Sequence, residues 1–252
     1  MSGHSTSNCS RATQQFRVYR RHRSHYTRPS GQVRRPQLLD LFCGAGIGAD
    51  GYADAGFEVT GVDLVPQVEY PYKFIEDDAL ALLNTSLPEA FDAIHASPPC
   101  QAFSRAGTLR KAQGGKASSG DLLTPVLHML RTRWSHKTWV VENVPGAPGM
   151  SGAIELCGSS FKLGVRRHRL FLSNHPLRAR PCAHARQGRP WGVYHVPDDR
   201  IPHGGRTARD AAHGRAVMQV ERSVSWNGLK EGIPPAYTKW IGDQLLKRSR
   251  WP

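Results

Sequence analysis

Leu38-Leu39-Asp40-Leu41-Phe42-Cys43-Gly44-Ala45-Gly46 decides the fold class of this 252-residue chain. Leu38 to Phe42 is a short apolar run, the next four residues bring two glycines, and Ile47 to Ala55 continues with helical spacing. That succession is strand, tight turn, helix. Outward from it, Phe57 to Val62 is a second strand ending at Asp63. Phe91 to Ala96 is a third, buried strand running into Pro98-Pro99-Cys100, and Thr138 to Val141 is a fourth entering Glu142. Asp77 to Leu83 and Leu122 to Trp134 are predicted helices, the latter with Leu122, Leu123, Val126, Leu127 and Leu130 on one face. Strands alternating with helices predict an α/β fold whose parallel sheet offers ligand sites at the carboxyl ends of its strands. The chemically distinctive residues all fall at such ends.

The length suits one ordinary domain with a small appendage, able to bury a core without disulfides or metals. A formal net charge of +14 and a pI near 10.1 point to a polyanionic partner such as nucleic acid, with a membrane surface as the rival. No stretch approaches the ~18 apolar residues of a spanning helix, and the N-terminus lacks an apolar signal core. A cytoplasmic protein without a membrane partner is therefore expected. Cys9, Cys43, Cys100, Cys157 and Cys182 are odd in number and spread out, which predicts reduced thiols.

The charge is unevenly placed. Asp40 to Ser104 holds eleven acidic residues and one basic residue, Lys73. Met1 to Gln37 holds eight arginines and no acid, and from Phe161 onward eighteen Lys or Arg stand against six Asp or Glu. One half suits a small cofactor, and the other, with the N-terminal stretch, a nucleic acid. Residues 1 to 36 read as a disordered basic arm. Phe103 to Gly120, nearly free of large apolar residues, reads as a mobile loop placed to act as a lid. His175 to Arg215 offers one short strand candidate, Trp191 to Val196, and there is no internal repeat.

Gly44 and Gly46 allow a ligand close to the backbone of the first turn. Asp63, nineteen residues beyond Gly44, is placed to take two ribose hydroxyls. Phe42 could pack on a base, and Asp78 could reach an adenine amino group or simply serve the N-terminus of a helix. Cys100 follows two prolines that keep the thiol out of a helix. The rigid turn, Gln101, Ser104 and nearby arginines predict a reactive thiolate with a depressed pKa. Glu142 ends an apolar strand where a carboxylate needs either a structural partner or a ligand. Arg167 and Arg169 precede Leu170-Phe171-Leu172 and could share one strand face. Cys182, His184, His175 and His195 fit no standard finger spacing, and no metal is expected.

In these residues the chain resembles the DNA cytosine-5 methyltransferase family, particularly its short bacteriophage forms, from Gln37 to Leu246. Leu39 to Gly46 looks like the family's S-adenosyl-L-methionine loop and Pro98-Pro99-Cys100-Gln101 its catalytic loop. Glu142-Asn143-Val144 looks like its carboxylate motif, and Arg167-His168-Arg169 like its Arg-x-Arg motif. The resemblance implies a Rossmann-like class I methyltransferase fold, with Cys100, Glu142, Arg169 and Arg167 catalytic. Phe42, Gly44, Ala45, Gly46, Asp63, Asp78 and Pro98 would bind S-adenosyl-L-methionine. Gln101, Ser104 and Asn143 would be at the substrate, Asn143 more to order the cysteine loop than to do chemistry. DNA is the implied partner, for a monomer in a bacterial or phage-infected cytoplasm, with restriction-modification among the possible settings.

Three departures stand out. Gly164-Val165 replaces the usual Pro-Gln before the arginine motif. Lys230-Glu231-Gly232-Ile233-Pro234-Pro235 puts Glu231 where the family has a cofactor-facing Asn. The recognition region, His175 to Val220, is short. The division expected is an arm at 1–36, a catalytic domain at 37–174, a recognition segment at 175–220 and a returning segment at 221–252. A tRNA cytosine-5 methyltransferase with the same motifs, or a catalytically degenerate DNA-binding protein, are the alternatives.

Overall fold

The computed structural model describes residues 34–100, 120–193 and 206–248. The arm to residue 33, Gln101, Ser104 and nearly all of the expected lid, His195, and part of the recognition segment lie outside the described residues. Within them a seven-stranded sheet runs in the order β3-β2-β1-β4-β5-β7-β6. The strands are β1 (Gln37–Leu41), β2 (Glu58–Asp63), β3 (Lys73–Glu76), β4 (Ala93–Ala96), β5 (Thr138–Asn143), β6 (Ile154–Leu156) and β7 (Arg169–Ser173). β1 to β5 are mutually parallel, while β7 runs antiparallel to both β5 and β6. The order reverses at β1 and β4, so the loops leaving those two strands open a crevice at their carboxyl ends.

Period-two alternation sorts side chains onto the two faces. Leu39 and Leu41 of β1, Ile94 and Ala96 of β4, and Trp139 and Val141 of β5 join one apolar cluster with α2 (Ala79–Leu83) and α3 (Leu123–Arg131). Leu38, Ala93 and Val140 join the other, with α1 (Ile47–Ala55) and α6 (Pro235–Arg248). Asp40, His95 and Glu142 continue this second face as buried polar groups. Each fully buried Leu contributes roughly 1.5–3 kcal/mol. α1 and α6 approach so closely that a Cβ on Gly51 would meet the Pro235 carbonyl at 2.1 Å. The chain beyond α4 (Ala211–Met218) and α5 (Trp226–Glu231) thus returns to the first helix.

Several expectations need correction. The sheet is mixed, because β7 inserts between β5 and β6 and reverses direction. The helix expected from Asp77 starts at Ala79, since Asp78 turns back to cap it with its own side chain. The helix expected to reach Trp134 ends at Arg131, although Trp134 stays buried through an indole hydrogen bond of 2.9 Å to the Leu83 carbonyl. Arg35 and Pro36, expected in the arm, are tied into the fold. Arg35 donates to the carbonyls of Ala53, Gly56 and Phe57, and the Pro36 carbonyl accepts from Glu58 N at 2.8 Å. The strand expected at Trp191 is the two-residue β8 (Trp191–Gly192), paired with β9 (Arg206–Thr207).

Candidate active site

The loop leaving β1 turns through left-handed backbone at Phe42 (φ 60°), Gly44 (φ 48°) and Gly46 (φ 76°). A side chain at Gly46 would strike the Tyr70 ring at 2.7 Å, whereas Gly44 has nothing within 4 Å of where a Cβ would stand. Glycine is therefore required by contact at one position and leaves open space at the other. The Gly44 amide donates to Asp63 Oδ2 at 3.0 Å, tying the first turn to the end of β2. A residue the sequence did not single out braces this loop from behind. Arg222 donates to the Ala45 carbonyl, to the Glu69 carbonyl at 2.9 Å, and to both Asp50 oxygens at 3.1 and 2.9 Å. Asp78 Oδ1 accepts from Leu80 N and Ala81 N at 2.8 and 2.9 Å, so that oxygen serves α2.

The loop leaving β4 is held at both ends. Ser97 donates its amide to the Leu41 carbonyl and its hydroxyl to the Phe42 carbonyl, joining it to the glycine loop. The Pro98 carbonyl accepts from Asn143 Nδ2 at 3.1 Å, while Asn143 Oδ1 accepts from Val144 N at 2.9 Å. The Asn143 amide is thus engaged in ordering the Pro98-Pro99-Cys100 turn. Glu142, 6% exposed, lies with Oε1 2.8 Å from Arg169 Nε. This ion pair leaves Oε1 without an aligned hydrogen bond from the described residues. Burial raises the Glu142 carboxyl above the usual carboxylate range, against the pull of Arg169, His95 and Arg167.

The depressed thiol expected at Cys100 is corrected by the structure. Burial raises it, Glu142 adds to the rise, and Arg169 and Arg167 only oppose it. Among the described residues, Arg169 is shared with Glu142 and the guanidinium of Arg167 is directed elsewhere. Arg167, 2% exposed, donates to the carbonyls of Leu229, Lys230 and Gly232 at the end of α5. Its own carbonyl accepts from Tyr237 Oη at 2.5 Å. It therefore joins the arginine motif to the Glu231-Gly232-Ile233-Pro234 stretch as a positioning residue. Arg169 Nη1 donates to the His168 carbonyl at 2.8 Å.

Two groupings escaped the sequence reading. His95 Nδ1 lies 2.9 Å from Asp40 Oδ1 beneath the two loops, and Tyr70 Oη donates to Asp40 Oδ2 at 3.4 Å. The alternation of β1 and β4 signalled that both residues face inward on one side. The second grouping brings Cys182 and His184 to Cys157 and His168; His175 is not among them, and His195 lies outside the described residues. Its members follow β6, precede β7 and lie in the stretch after β7, at intervals that match no finger pattern.

Residues 37–152 match a model of the family described as C-5 cytosine-specific DNA methylase. The type II methyltransferase M.NgoPII of Neisseria gonorrhoeae is 31% identical over 130 residues, covering 47% of this chain and 37% of that protein. The type II methyltransferase M.FnuDI of Fusobacterium nucleatum is 33% identical over 122 residues, covering 44% and 33%. The match spans about a third of the length of these curated relatives. The Entamoeba histolytica methyltransferase EhMeth superposes with a TM-score of 0.52 at 11% identity, over 85% of this chain and 99% of that one. The S. pombe Dnmt2 methyltransferase gives 0.51 at 12% identity, over 86% and 100%. The last two are likenesses of fold alone. Among the described residues no helix is long and apolar enough to cross a membrane.

Proposed function

We propose that the chain, which matches the C-5 cytosine-specific DNA methylase family model over residues 37–152, is a DNA cytosine-5 methyltransferase that methylates C5 of a flipped-out cytosine in DNA through a covalent bond from Cys100 to C6. The observation that carries this reading is the meeting of Cys100, Glu142 and Arg169 at neighbouring strand ends, beside the glycine loop. S-adenosyl-L-methionine fits as the donor, because the loop presents open space above Gly44 and a carboxylate, Asp63, at its rim. Phe42, Gly44, Ala45, Gly46, Asp63, Asp78 and Pro98 would hold it. When bound it supplies an electrophilic methyl group on sulfur.

Cytosine C5 is too weak a nucleophile to take that methyl group unaided. The Cys100 thiolate adds to C6, and the displaced ring electrons make C5 enamine-like. Glu142, more readily protonated than an ordinary carboxyl, donates to N3 and accepts from the exocyclic amine, stabilising the charge that addition places on the ring. Arg169 contacts O2, Arg167 fixes the backbone that carries it, and Asn143 holds the cysteine turn. Once C5 is methylated, a base or water removes its proton. The freed electron pair restores the C5–C6 double bond, and the Cys100 thiolate leaves. Because C6 is out of reach inside a duplex, the base must be extruded, and Gln101 and Ser104 would border the opening. In this reading residues 37–174 form the catalytic domain, 175–220 recognise DNA, and 221–252 return to it. Glu231 would alter the contact to the methionine part of the donor.

The test is nucleoside mass spectrometry of DNA and tRNA from cells expressing the chain or its Cys100→Ala variant, with gel analysis of a covalent adduct on 5-fluorocytosine duplex DNA. A Cys100-dependent rise of 5-methylcytosine in DNA is expected. The same rise confined to tRNA would move the substrate to RNA, and no change in either, with no adduct, would overturn the reading.

A further inference from the structure

We propose that Cys157, His168, Cys182 and His184 form a structural zinc site that fastens the basic segment after β7 to the catalytic sheet. One donor atom from each of the four lies within 4.8 Å of all the others. Cys157 Sγ is 3.3 Å from His184 Nε2, and Cys182 Sγ is 3.5 Å from His168 Nε2. Zn–S bonds of about 2.3 Å and Zn–N bonds of about 2.0–2.1 Å in a tetrahedron place the donor atoms roughly 3.3–3.8 Å apart. The two pairs already meet that requirement, and the remaining distances need only a small contraction. The His168 and His184 rings stand edge to face, with centroids 5.2 Å apart and planes at 85°. Two imidazoles converging on one centre adopt this kind of arrangement.

The donor set names the ion. Two thiols with two imidazoles suit zinc and exclude the hard, oxygen-seeking cations. Four protein ligands also close the coordination sphere, which marks a structural rather than a hydrolytic centre. The surroundings are those of a supported site. Ser159 Oγ donates to Cys157 Sγ at 3.2 Å and accepts from Ala183 N at 3.0 Å, so one hydroxyl orients the buried cysteine and the loop bearing Cys182 and His184. Glu155 Oε1 lies 3.8 Å from His168 Nε2 and adds negative charge beside the cluster. A hydroxyl placed as that of Ser159 is an outer group of the kind that fixes the ligands of metal sites.

Position in the chain supplies the purpose. Cys157 directly follows β6 and His168 directly precedes β7, so both adjoin strands of the sheet. Cys182 and His184 lie in the stretch from 174 to 190, whose only regular element among the described residues is a three-residue turn of 3-10 helix at His184–Arg186. That stretch has little apolar surface to bury, and a metal supplies folding energy where a core cannot. His168 also stands between Arg167 and Arg169, and its carbonyl accepts from Arg169. Ligation at His168 therefore immobilises the backbone that presents Arg169.

The experiment measures metal in the full-length chain purified without chelators, by inductively coupled plasma mass spectrometry, for the wild type, Cys182→Ser, His184→Ala and, as a control, His136→Ala. Stoichiometric zinc is expected in the wild type and His136→Ala, falling to background in the two ligand variants. Should those variants fail to fold, cobalt exchange into the wild-type chain decides. Visible bands of tetrahedral, thiolate-bound cobalt that zinc abolishes sustain the site, and a featureless spectrum overturns it. Wild-type protein without zinc, or with Cys157 and Cys182 recovered as a disulfide, also overturns it. None of these readouts depends on methyl transfer.

Discussion

Cys100 sits under opposed influences, and their balance can be measured. Burial and Glu142 raise the thiol, whereas Arg169 and then Arg167 lower it. Removing a lowering charge must make the thiolate harder to form, and removing a raising one must make it easier. In Arg169→Ala the pH midpoint of Cys100 alkylation by iodoacetamide should therefore move up, and in Glu142→Gln it should move down. Shifts of the same sign would show that Glu142 and Arg169 do not flank the thiol. Glu142 has a second role to test through the same substitution. If its protonated form donates to N3, Glu142→Gln should lower kcat by roughly 10²–10⁴-fold, as loss of a positioned acid does. The lost rate should persist even though the thiol ionises more easily, which separates assistance at the ring from an effect on Cys100. The motif legibly marked the positions of Cys100 and Glu142, but not the direction of the thiol shift. Burial is a tertiary quantity, and counting arginines in the sequence says nothing about where their guanidinium groups point. Arg167 illustrates this, since its donors go to the carbonyls that end α5.

The loops after β1 and β4 depend on elements distant in sequence. Asn143 at the end of β5 supports the Pro98 carbonyl, and Arg222, between α4 and α5, supports the Ala45 carbonyl. Asn143→Ala removes the donor to a buried carbonyl, which should cost about 1–3 kcal/mol, read as a lower Cm in urea, together with a fall in kcat as the cysteine turn loosens. Arg222→Ala breaks four contacts at once. It should raise the Kd for S-adenosyl-L-methionine in calorimetry while leaving the alkylation midpoint of Cys100 in place, because Arg222 bears on the glycine loop and not on the thiol. Unchanged cofactor affinity would mean that the loop holds its shape without this brace. Strands β1, β2, β4 and β5 were legible because buried parallel strands read as near-continuous apolar runs. β3 and β6 were not, for the opposite reason. β3 is four residues with charged ends at Lys73 and Glu76, and β6 is three residues with Glu155 at its centre. Neither carries enough apolar pattern to register. The reversal of β7 was equally hidden, since an apolar run such as Leu170-Phe171-Leu172 gives a strand but no direction.

Across the molecule, the acidic stretch from Asp40 to Ser104 coincides with the β1 to β4 half of the sheet, where the glycine loop and Asp63 lie. The positive charge is therefore supplied by the N-terminal stretch and by the chain after Ser104, where residues 105–160 carry seven Lys or Arg against three Asp or Glu and the chain from Phe161 carries eighteen against six. Some of that charge is already committed inside the fold. Arg167, Arg169 and Arg222 all pair within it. Arg35 likewise serves carbonyls around the end of α1. The arginines preceding Arg34 keep their weight as candidate phosphate contacts, because no acidic residue accompanies them in the sequence. Each phosphate neutralised on duplex DNA adds about 0.9 to the slope of log affinity against log salt. Deleting residues 1 to 34 should accordingly weaken binding to a cytosine-containing duplex at low salt, reduce that slope, and let the two affinity curves converge as salt rises. Fluorescence anisotropy over a salt series reads all three. Weaker binding with an unchanged slope would place the loss in the chain from Arg35 on, and unchanged binding would leave the basic residues after Ser104 as the whole of the DNA surface.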